Sequence, residues 1–550
     1  MLSQPTASIT QSKFAVDVRR LPWIRRLASD YVFDQGRLRD FFAGDPADPN
    51  AWTEAVARTQ DHVRERDRLV ELLRAQQTRR GAPAESMAAA RLLGDPRSVA
   101  IVTGQQAGLF GGPLYTLLKA MTALKLARDL GETHQVPAVA VFWIEAEDHD
   151  WAEVQSCCVL DAELTPRSVS LPDLPGANAK PIARMELDGS GVSAIADLEA
   201  ALQTTEFTSD LLATLRAAYR PGSGMADAFG RWLEAVLGPH GLIVYDASDP
   251  AAKPLVADLF AREVEQGGHT ARLAAAAGQR LEEAGYHAQV MPAEGSIALF
   301  HMNDGRHAIQ RDGDRFTVGD AQMAPADLAA HIREHPEQFS PNVLLRPLVQ
   351  DTLFPTVCYV AGPNELAYLA QLRGVYDAFD VPMPLVYQRA TATIVDANAM
   401  RFMTRNAVTL ESLRAQDEAA LNQLLQAHLP ASVDEAVQDA GRAIEDRLIV
   451  VAREVQQIDA TLEGAARSTL TRMQDDLRKL HAKIIQAAKR KDETLKRQFR
   501  HAQAQAFPGG HPQEREIGFV YFLNKYGPAF IERLADDLPV DMGQHWVITI

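Results

Sequence analysis

The sequence predicts an α/β fold: a Rossmann-like parallel-sheet core bearing insertions, together with an α-helical coiled-coil arm. Two observations predict the core. Apolar runs at 98–103, 136–144, 241–246 and 356–362 are each followed by polar residues and a helical stretch, the alternation of an open parallel sheet with right-handed crossovers. The run VPAVAVFWI at 136–144 lacks polar alternation, as does a strand buried on both faces. A third observation predicts the arm. From about 396 to 507 the chain turns to Ala, Gln, Leu, Arg and Glu, with Pro430 its one proline and Gly441 and Gly464 its two glycines.

The size fits this plan, since 550 residues with 46% hydrophobic and 23% charged content imply about three to four ordinary globular domains. That composition excludes disorder, collagen-like repeats and small disulfide scaffolds. The longest apolar run, 136–144, falls short of the roughly 18 residues of a membrane span, and no apolar signal-peptide stretch opens the chain. A cytoplasmic location is expected, with Cys157, Cys158 and Cys358 reduced. A net charge of −16 argues against general affinity for nucleic acid or anionic lipid. Residues 467–500 nevertheless carry a local +7, read either as the solvated face of a helix or as a contact for a phosphorylated ligand or acidic partner.

Taken in order, residues 1–97 read as mostly helical, with Val56, Val63, Leu69 and Leu73 at helical spacing within 52–78. Residues 98–395 form the core: a β-branched strand at 98–103, a glycine-rich loop, a helix over 114–130 and the second strand. Segments 160–240 and 286–345 do not fit simple crossovers. Turn signals such as Asn303-Asp304-Gly305 and Arg311-Asp312-Gly313 predict insertions built of short strands. In the arm, over 396–508, Val437, Ala440, Ile444, Leu448, Val451, Val455, Ile458 and Leu462 recur by threes and fours, as do Leu470, Met473, Leu477, Leu480 and Ile484. This predicts a coiled-coil hairpin. Its seam closes within one chain or packs on a symmetry mate, and a homodimer is expected. Segment 509–550 regains Phe519, Val520, Tyr521, Phe522 and Trp546 and returns to the core.

Ligands of open α/β sheets bind at the carboxyl ends of the strands. The run TGQQAGLFGGPLYTLLK at 103–119 places glycines there, so that backbone and helix N-terminus can approach an anion. Gly104, Gly108, Gly111 and Gly112 match neither a P-loop nor a dinucleotide fingerprint, and plain turn chemistry is the competing reading. Gln105 and Gln106 are paired amides suited to orienting a polar substrate. At the next strand end EAEDHDWAE, 145–153, packs five carboxylates and an imidazole. They suit Mg²⁺ or a proton-transfer pair, against the plainer reading of a polar loop with a capping aspartate. Asp148 and Asp150 favour a protonated His149, a general acid more than a zinc ligand, and no protein metal ligands are assigned. YVAGPNE at 359–365 offers Asn364 and Glu365 to an amine or hydroxyl, or as helix caps. YQRAT at 387–391 sets Arg389 where the core hands over to the arm, a position suited to phosphate. The cysteines lack an activating His or cation and read as structural.

At these residues the chain resembles the BshC family of cysteine ligases in bacillithiol biosynthesis. The motifs VTGQQAGLFGGPLYT at 102–116, FWIEAEDHD at 142–150, VAGPNE at 360–365 and YFLNKYG at 521–527 occur in order across nearly the whole chain. The resemblance implies a core related to class I nucleotidyltransferases, connecting-peptide insertions and a dimerising coiled-coil arm. It also implies an enzyme that joins the carboxyl of L-cysteine to the amine of glucosaminyl malate; ATP or ADP is the expected nucleotide, and the carboxylates of 145–153 make Mg²⁺ a candidate companion. Family members bind an adenine nucleotide between coiled coil and core, which assigns that contact to Arg389, Ala390 and Thr391, with Arg515 or Lys525 as phosphate partners. Gly111, where many relatives carry Thr, and Leu118, where some carry His, depart from the pattern, so no hydroxyl or imidazole role carries over at those two positions.

Amide formation from a carboxylate needs activation, so ATP is expected to make an adenylate or an acyl phosphate. Gln106, Asp148 and His149 are the expected catalytic residues; Gly104, Gln105, Glu147, Asn364 and Glu365 are the expected substrate contacts. Neither the HIGH nor the KMSKS signature of adenylating synthetases occurs, so adenylation at the sheet edge is an assumption. Two other readings stay open: a dimeric nucleotide-binding scaffold or regulator with a vestigial site, and transfer of cysteine from a carrier.

Overall fold

The structure, a computed structural model, describes residues 12–550 except 294, 304, 320, 428–430, 460 and 492, and the side chains of all these but 431 and 488–491. Asp304, Pro430 and Asp492 thus lie outside the described residues, as do the side chains of Lys489, Arg490 and Lys491 in the basic run. The chain divides into two compact units, Lys13–Ile394 with Pro512–Ile548 and Ile550, and Val395–His511 with Ser12 and Thr549.

In the larger unit the described chain starts not with a helix but with a strand, β1 (Lys13–Asp17). The helix expected over 52–78 is broken into Pro49–Asp61 and Arg66–Arg80. His62 turns extended at the break, Arg64 pins it by donating to the carbonyls of Thr59, His62 and Asp351, and Val63 is 92% exposed rather than on the apolar face. Next come β2 (Val99–Gln106), the helix Leu114–His134 and β3 (Ala138–Glu145). The hairpin β4 (Ser156–Leu160) and β5 (Pro166–Ser170) follows. Beyond it the first insertion is helical, Ser190–Ala201, Thr208–Ala218 and Met225–Leu237, rather than a set of short strands. Its apolar faces close over the sheet, with Trp232 and Phe229 fully buried.

After β6 (Ile243–Asp246), the second insertion is mostly strand, as its turn residues predict: β7 (Ser296–Met302), β8 (Arg306–Asp312), β9 (Arg315–Val318), β10 (Ala321–Met323) and β11 (Phe339–Pro341). They pair antiparallel in the order β10-β9-β8-β7-β11. The chain then supplies β12 (Thr356–Ala361), β13 (Leu385–Gln388), β14 (Thr391–Val395) and, at the far end, β15 (Gln544–Thr549). The last two form a three-stranded sheet with β1, in the order β1-β15-β14.

The central sheet is parallel, in the order β13-β12-β2-β3-β6. Its strands are apolar because both faces are covered: Val99, Ile101, Val102, Val141 and Phe142 are all 0% exposed. Register decides what meets at its carboxyl edge. Gln106 lies opposite Glu145, Val360 opposite Thr103 and Ala361 opposite Gln388. Gly104, Gln105 and Gln106 are therefore the last residues of β2, not part of the loop. A Cβ on Gly104 would sit 2.8 Å from the Trp143 carbonyl oxygen, so glycine permits the close approach of β3 there.

In the smaller unit the helices Ala431–Glu454 and Leu462–Lys491 form the hairpin. Asp434 faces His481 at 3.1 Å and Gly441 faces Leu477, which is an antiparallel register. The flanking helices Ala397–Arg405 and Glu493–Ala506 pack on each other through Phe402 and Phe499. Their start is tied by Asp396, whose carboxylate meets His501 at 2.7 Å and Gln505 at 3.0 Å. The apolar pattern closes only part of the seam. Ile458 is 80% exposed, Leu480 51% and Val451 44%. Among the described residues, no helix is long and apolar enough to cross a membrane.

Candidate functional site

A cleft of about 370 Å³ opens at the carboxyl edge of the central sheet. Gly104, Gln105 and Gln106 of β2 line it, with Glu145 at the end of β3 and Asn364 and Glu365 just beyond β12. Three motifs widely separated in the chain meet there because parallel strands put all their carboxyl ends on one side. The floor is an ion pair with a buried cation. Lys119, on the second turn of the helix Leu114–His134, has a side chain only 2% exposed and pairs with Glu365. Its ammonium also donates to the Gly104 carbonyl at 2.7 Å and to Gln105 Oε1 at 3.2 Å. Burial pulls that ammonium below its usual range, opposed by Glu365. Glu365 accepts in addition from the Gly362 N–H and the Tyr359 hydroxyl, both at 3.0 Å.

The five carboxylates of 145–153 do not form one cluster. Glu145 lies 3.2 Å from Trp143 Nε1 and 3.7 Å from Arg346, and burial holds its carboxyl above the ordinary range. Glu147 turns away from the cleft into a buried pair with Lys253 at 2.5 Å, and the Ser340 hydroxyl donates to it at 3.2 Å. Its expected substrate contact is thus replaced by a structural bond between the end of β3 and β11. Asp148 does line the cleft. Its Oδ2 accepts from Gln106 Nε2 at 2.9 Å, and its Oδ1 from the His149 N–H at 2.8 Å and from Arg306 at 3.2 Å. Asp150 caps the short helix Trp151–Val154 by accepting from the Glu153 N–H. Glu153 reaches the cleft, its carboxyl raised by burial and by the charges of Asp150 and Asp148. Among the described residues, no group of three or more His, Cys, Asp and Glu side chains is arranged to hold a metal.

His149 is half exposed at 51%, its ring 3.3 Å from Asp148, and it is absent from the cleft lining. Arg389 touches the cleft, but its guanidinium is committed to Glu514 through bonds of 2.9 and 2.8 Å and to the Ala390 carbonyl. Ala390 is buried with its N–H on Thr122, and the Thr391 hydroxyl lies 2.9 Å from His545 Nδ1, so neither presents a free group to the cleft. Lys525 lies over the rings of Tyr521 and Tyr526 rather than in the cleft lining. Arg515 does line it, and also lines a second chamber of about 220 Å³ that shares Gln105, Gln106, Tyr115 and Glu153 with the first. The Thr116 hydroxyl at the helix start and Gln106 Oε1, both lining this second chamber, are buried without a protein partner.

Sequence reasoning assigned no role to Lys119, Arg306 or Arg346 and named Glu153 only within the carboxylate run 145–153; all four line the cleft. Lys119 had a signal, the one charge in the first half of its helix, LYTLLKAMTA at 114–123. The three cysteines are unpaired. Burial pushes the Cys157 and Cys158 thiols up to about 12, which keeps them from acting as thiolates.

Comparison with known proteins places this geometry in a family. Residues 15–390 match the model described as "Bacillithiol biosynthesis BshC, N-terminal Rossmann-like domain" and residues 392–550 the "C-terminal coiled-coil domain" of the same protein. A protein of Salinibacter ruber named "Putative cysteine ligase BshC" is 35% identical over 532 residues, 95% of each chain. Proteins of the same name from Koribacter versatilis and Bacillus licheniformis are 32% and 29% identical, covering 95% and 94% of this chain and 97% and 95% of their own.

Proposed function

The chain belongs to the BshC family of bacillithiol biosynthesis, and from that premise we propose that it is a ligase joining the carboxyl of L-cysteine to the amine of glucosaminyl malate. The observation that carries this reading is the cleft itself, where paired amides, a buried lysine paired with Glu365 and a carboxyl of raised pKa converge at the strand ends. A carboxylate is a poor electrophile and offers an amine no good leaving group, so the cysteine carboxyl first takes a phosphoryl or adenylyl group from ATP. Arg515 and the Thr116 hydroxyl supply donors for such an anion in the second chamber. Mg²⁺ would come with the nucleotide's phosphates.

In this reading Gln105 and Gln106 orient the activated carboxyl and Asn364 the polar groups beside it. Asp148 is already engaged by Gln106, Arg306 and His149, so it holds the site's geometry and faces the incoming ammonium. Glu153 takes the amine's proton, its affinity for a proton raised by burial and by the nearby charges of Asp150 and Asp148. The amine then attacks the acyl carbon and AMP or phosphate leaves. The arm's exposed apolar residues favour a homodimer.

The test is mass spectrometry of the purified protein with L-cysteine, glucosaminyl malate, Mg²⁺ and ATP. Product with stoichiometric AMP supports an adenylate, and product with ADP an acyl phosphate. Absence of product from folded protein overturns ATP-dependent ligation by this chain alone and favours a cysteine carrier.

A further inference from the structure

Part of the cleft lining comes from outside the central sheet. Arg306, at the start of β8, and Asn342 and Arg346, just after β11, are all supplied by the second insertion and its exit. The Arg306 side chain is only 11% exposed. One terminal nitrogen donates to Asp148 at 3.2 Å and the other to the Pro341 carbonyl at 3.0 Å, while the guanidinium lies 4.0 Å over the Phe300 ring. Its Nε is buried without a partner. A buried donor left open in this way carries a desolvation cost that a bound acceptor removes.

Asn342 spends its Oδ1 on the N–H groups of Leu344 and Leu345, so its amide nitrogen is the end left for a ligand. Arg346, also 11% exposed, bonds Gln350 and Tyr368 and stands 3.7 Å from Glu145. The other deep cations are less available: Lys119 is taken by Glu365 and Arg389 by Glu514. Planar guanidinium forks and an amide make a donor set matched to carboxylates.

We infer that Arg306, Asn342 and Arg346 form a dicarboxylate subsite, which takes the two carboxylates of the acceptor's malyl group. This deepens the reading above and rests on it for the acceptor's identity. The strand ends then serve the reacting carboxyl and amine, while the insertion selects the acceptor by its anionic tail. A lone carboxylate of L-cysteine is the other source of the same chemistry, and the ligands below separate the two.

The experiment is calorimetric titration of the full-length protein with L-malate, glucosaminyl malate, methyl glucosaminide and L-cysteine. R306Q is expected to weaken the first two about tenfold or more, the worth of one charge-assisted hydrogen bond, and to leave the last two unchanged. V343E guards against a folding defect in R306Q. Val343 lines the same part of the cleft and is 42% exposed, so its carboxylate repels the dicarboxylates without removing a packed group. Wild-type protein that binds L-malate, with both variants losing it, upholds the subsite even when glucosaminyl malate neither binds nor reacts; in that case only the acceptor reading fails. Equal weakening of all ligands, loss confined to L-cysteine, or wild-type protein that takes neither dicarboxylate overturns it.

Discussion

At the scale of residues, the cleft depends on charges held out of water, and their removal should be felt in both folding and turnover. Lys119→Met strands the Glu365 carboxylate beside a 2%-exposed site. We expect a loss of about 3 kcal/mol in urea unfolding, with part of it regained in the K119M/E365Q double variant. A K119M protein as stable as wild type would refute the coupling. The proton-handling roles separate as cleanly. Glu153→Gln should lower kcat about 100-fold, whereas His149→Ala, changing an exposed ring outside the cleft lining, should leave kcat close to wild type. Equal losses in the two variants would return the proton to His149. Gln105, Gln106, Asn364 and Glu365 were legible as a site because strand ends collect such residues. The directions of Glu147 and His149 were not, because adjacency in a charged run does not say which way each side chain turns. Arg306 and Arg346 were illegible for another reason: they approach from an insertion whose placement is a tertiary fact.

At the scale of elements, the turn after β2 is a steric device. Gly111 sits at φ +97°, and a Cβ there would run into the Phe519 ring, which stacks 6.1 Å from Trp232 while the Trp232 indole donates to the Phe110 carbonyl. Gly111→Ala should therefore cost about 3 kcal/mol or more, read as a fall in thermal midpoint; an unchanged midpoint would show that the helix Phe519–Tyr526 can shift. Between the helix Ala257–Glu265 and β7, Glu263 accepts from the Thr270 hydroxyl and the Ala298 N–H, and burial raises its carboxyl to about 6. The unfolded chain gives up this proton first, so stability falls as pH rises from about 4.5 to about 6. E263Q cannot titrate and should gain about 2 kcal/mol on wild type between pH 4 and pH 7, measured by urea unfolding at both. A pH-independent gap would refute the assignment. The parallel strands were legible because burial on both faces leaves an uninterrupted apolar run. The break at His62–Glu65 was not, since the Arg64 contacts that hold it come from Asp351, far along the chain.

At the scale of the whole molecule, the arm's periodicity was legible because a hairpin seam repeats locally, yet the same pattern cannot say which apolar residues stay uncovered. Ile458 at 80% and Leu462 at 39% exposure bear on the homodimer. I458E with L462E should shift the species seen by light scattering from dimer toward monomer, whereas a monomeric wild type would end the dimer reading. The sheet β1-β15-β14 was not legible at all, because Lys13 pairs with Ile548 and Asp17 with Gln544, partners from opposite ends of the described chain. That pairing has a consequence during synthesis. A ribosome releases the β1 residues long before it has made their partner, so the first strand must wait unpaired through almost the entire passage of the chain. Nascent chains halted before residue 544 should keep Lys13 open to trypsin, and the site should become protected only once the polypeptide reaches beyond residue 549 and clears the exit tunnel.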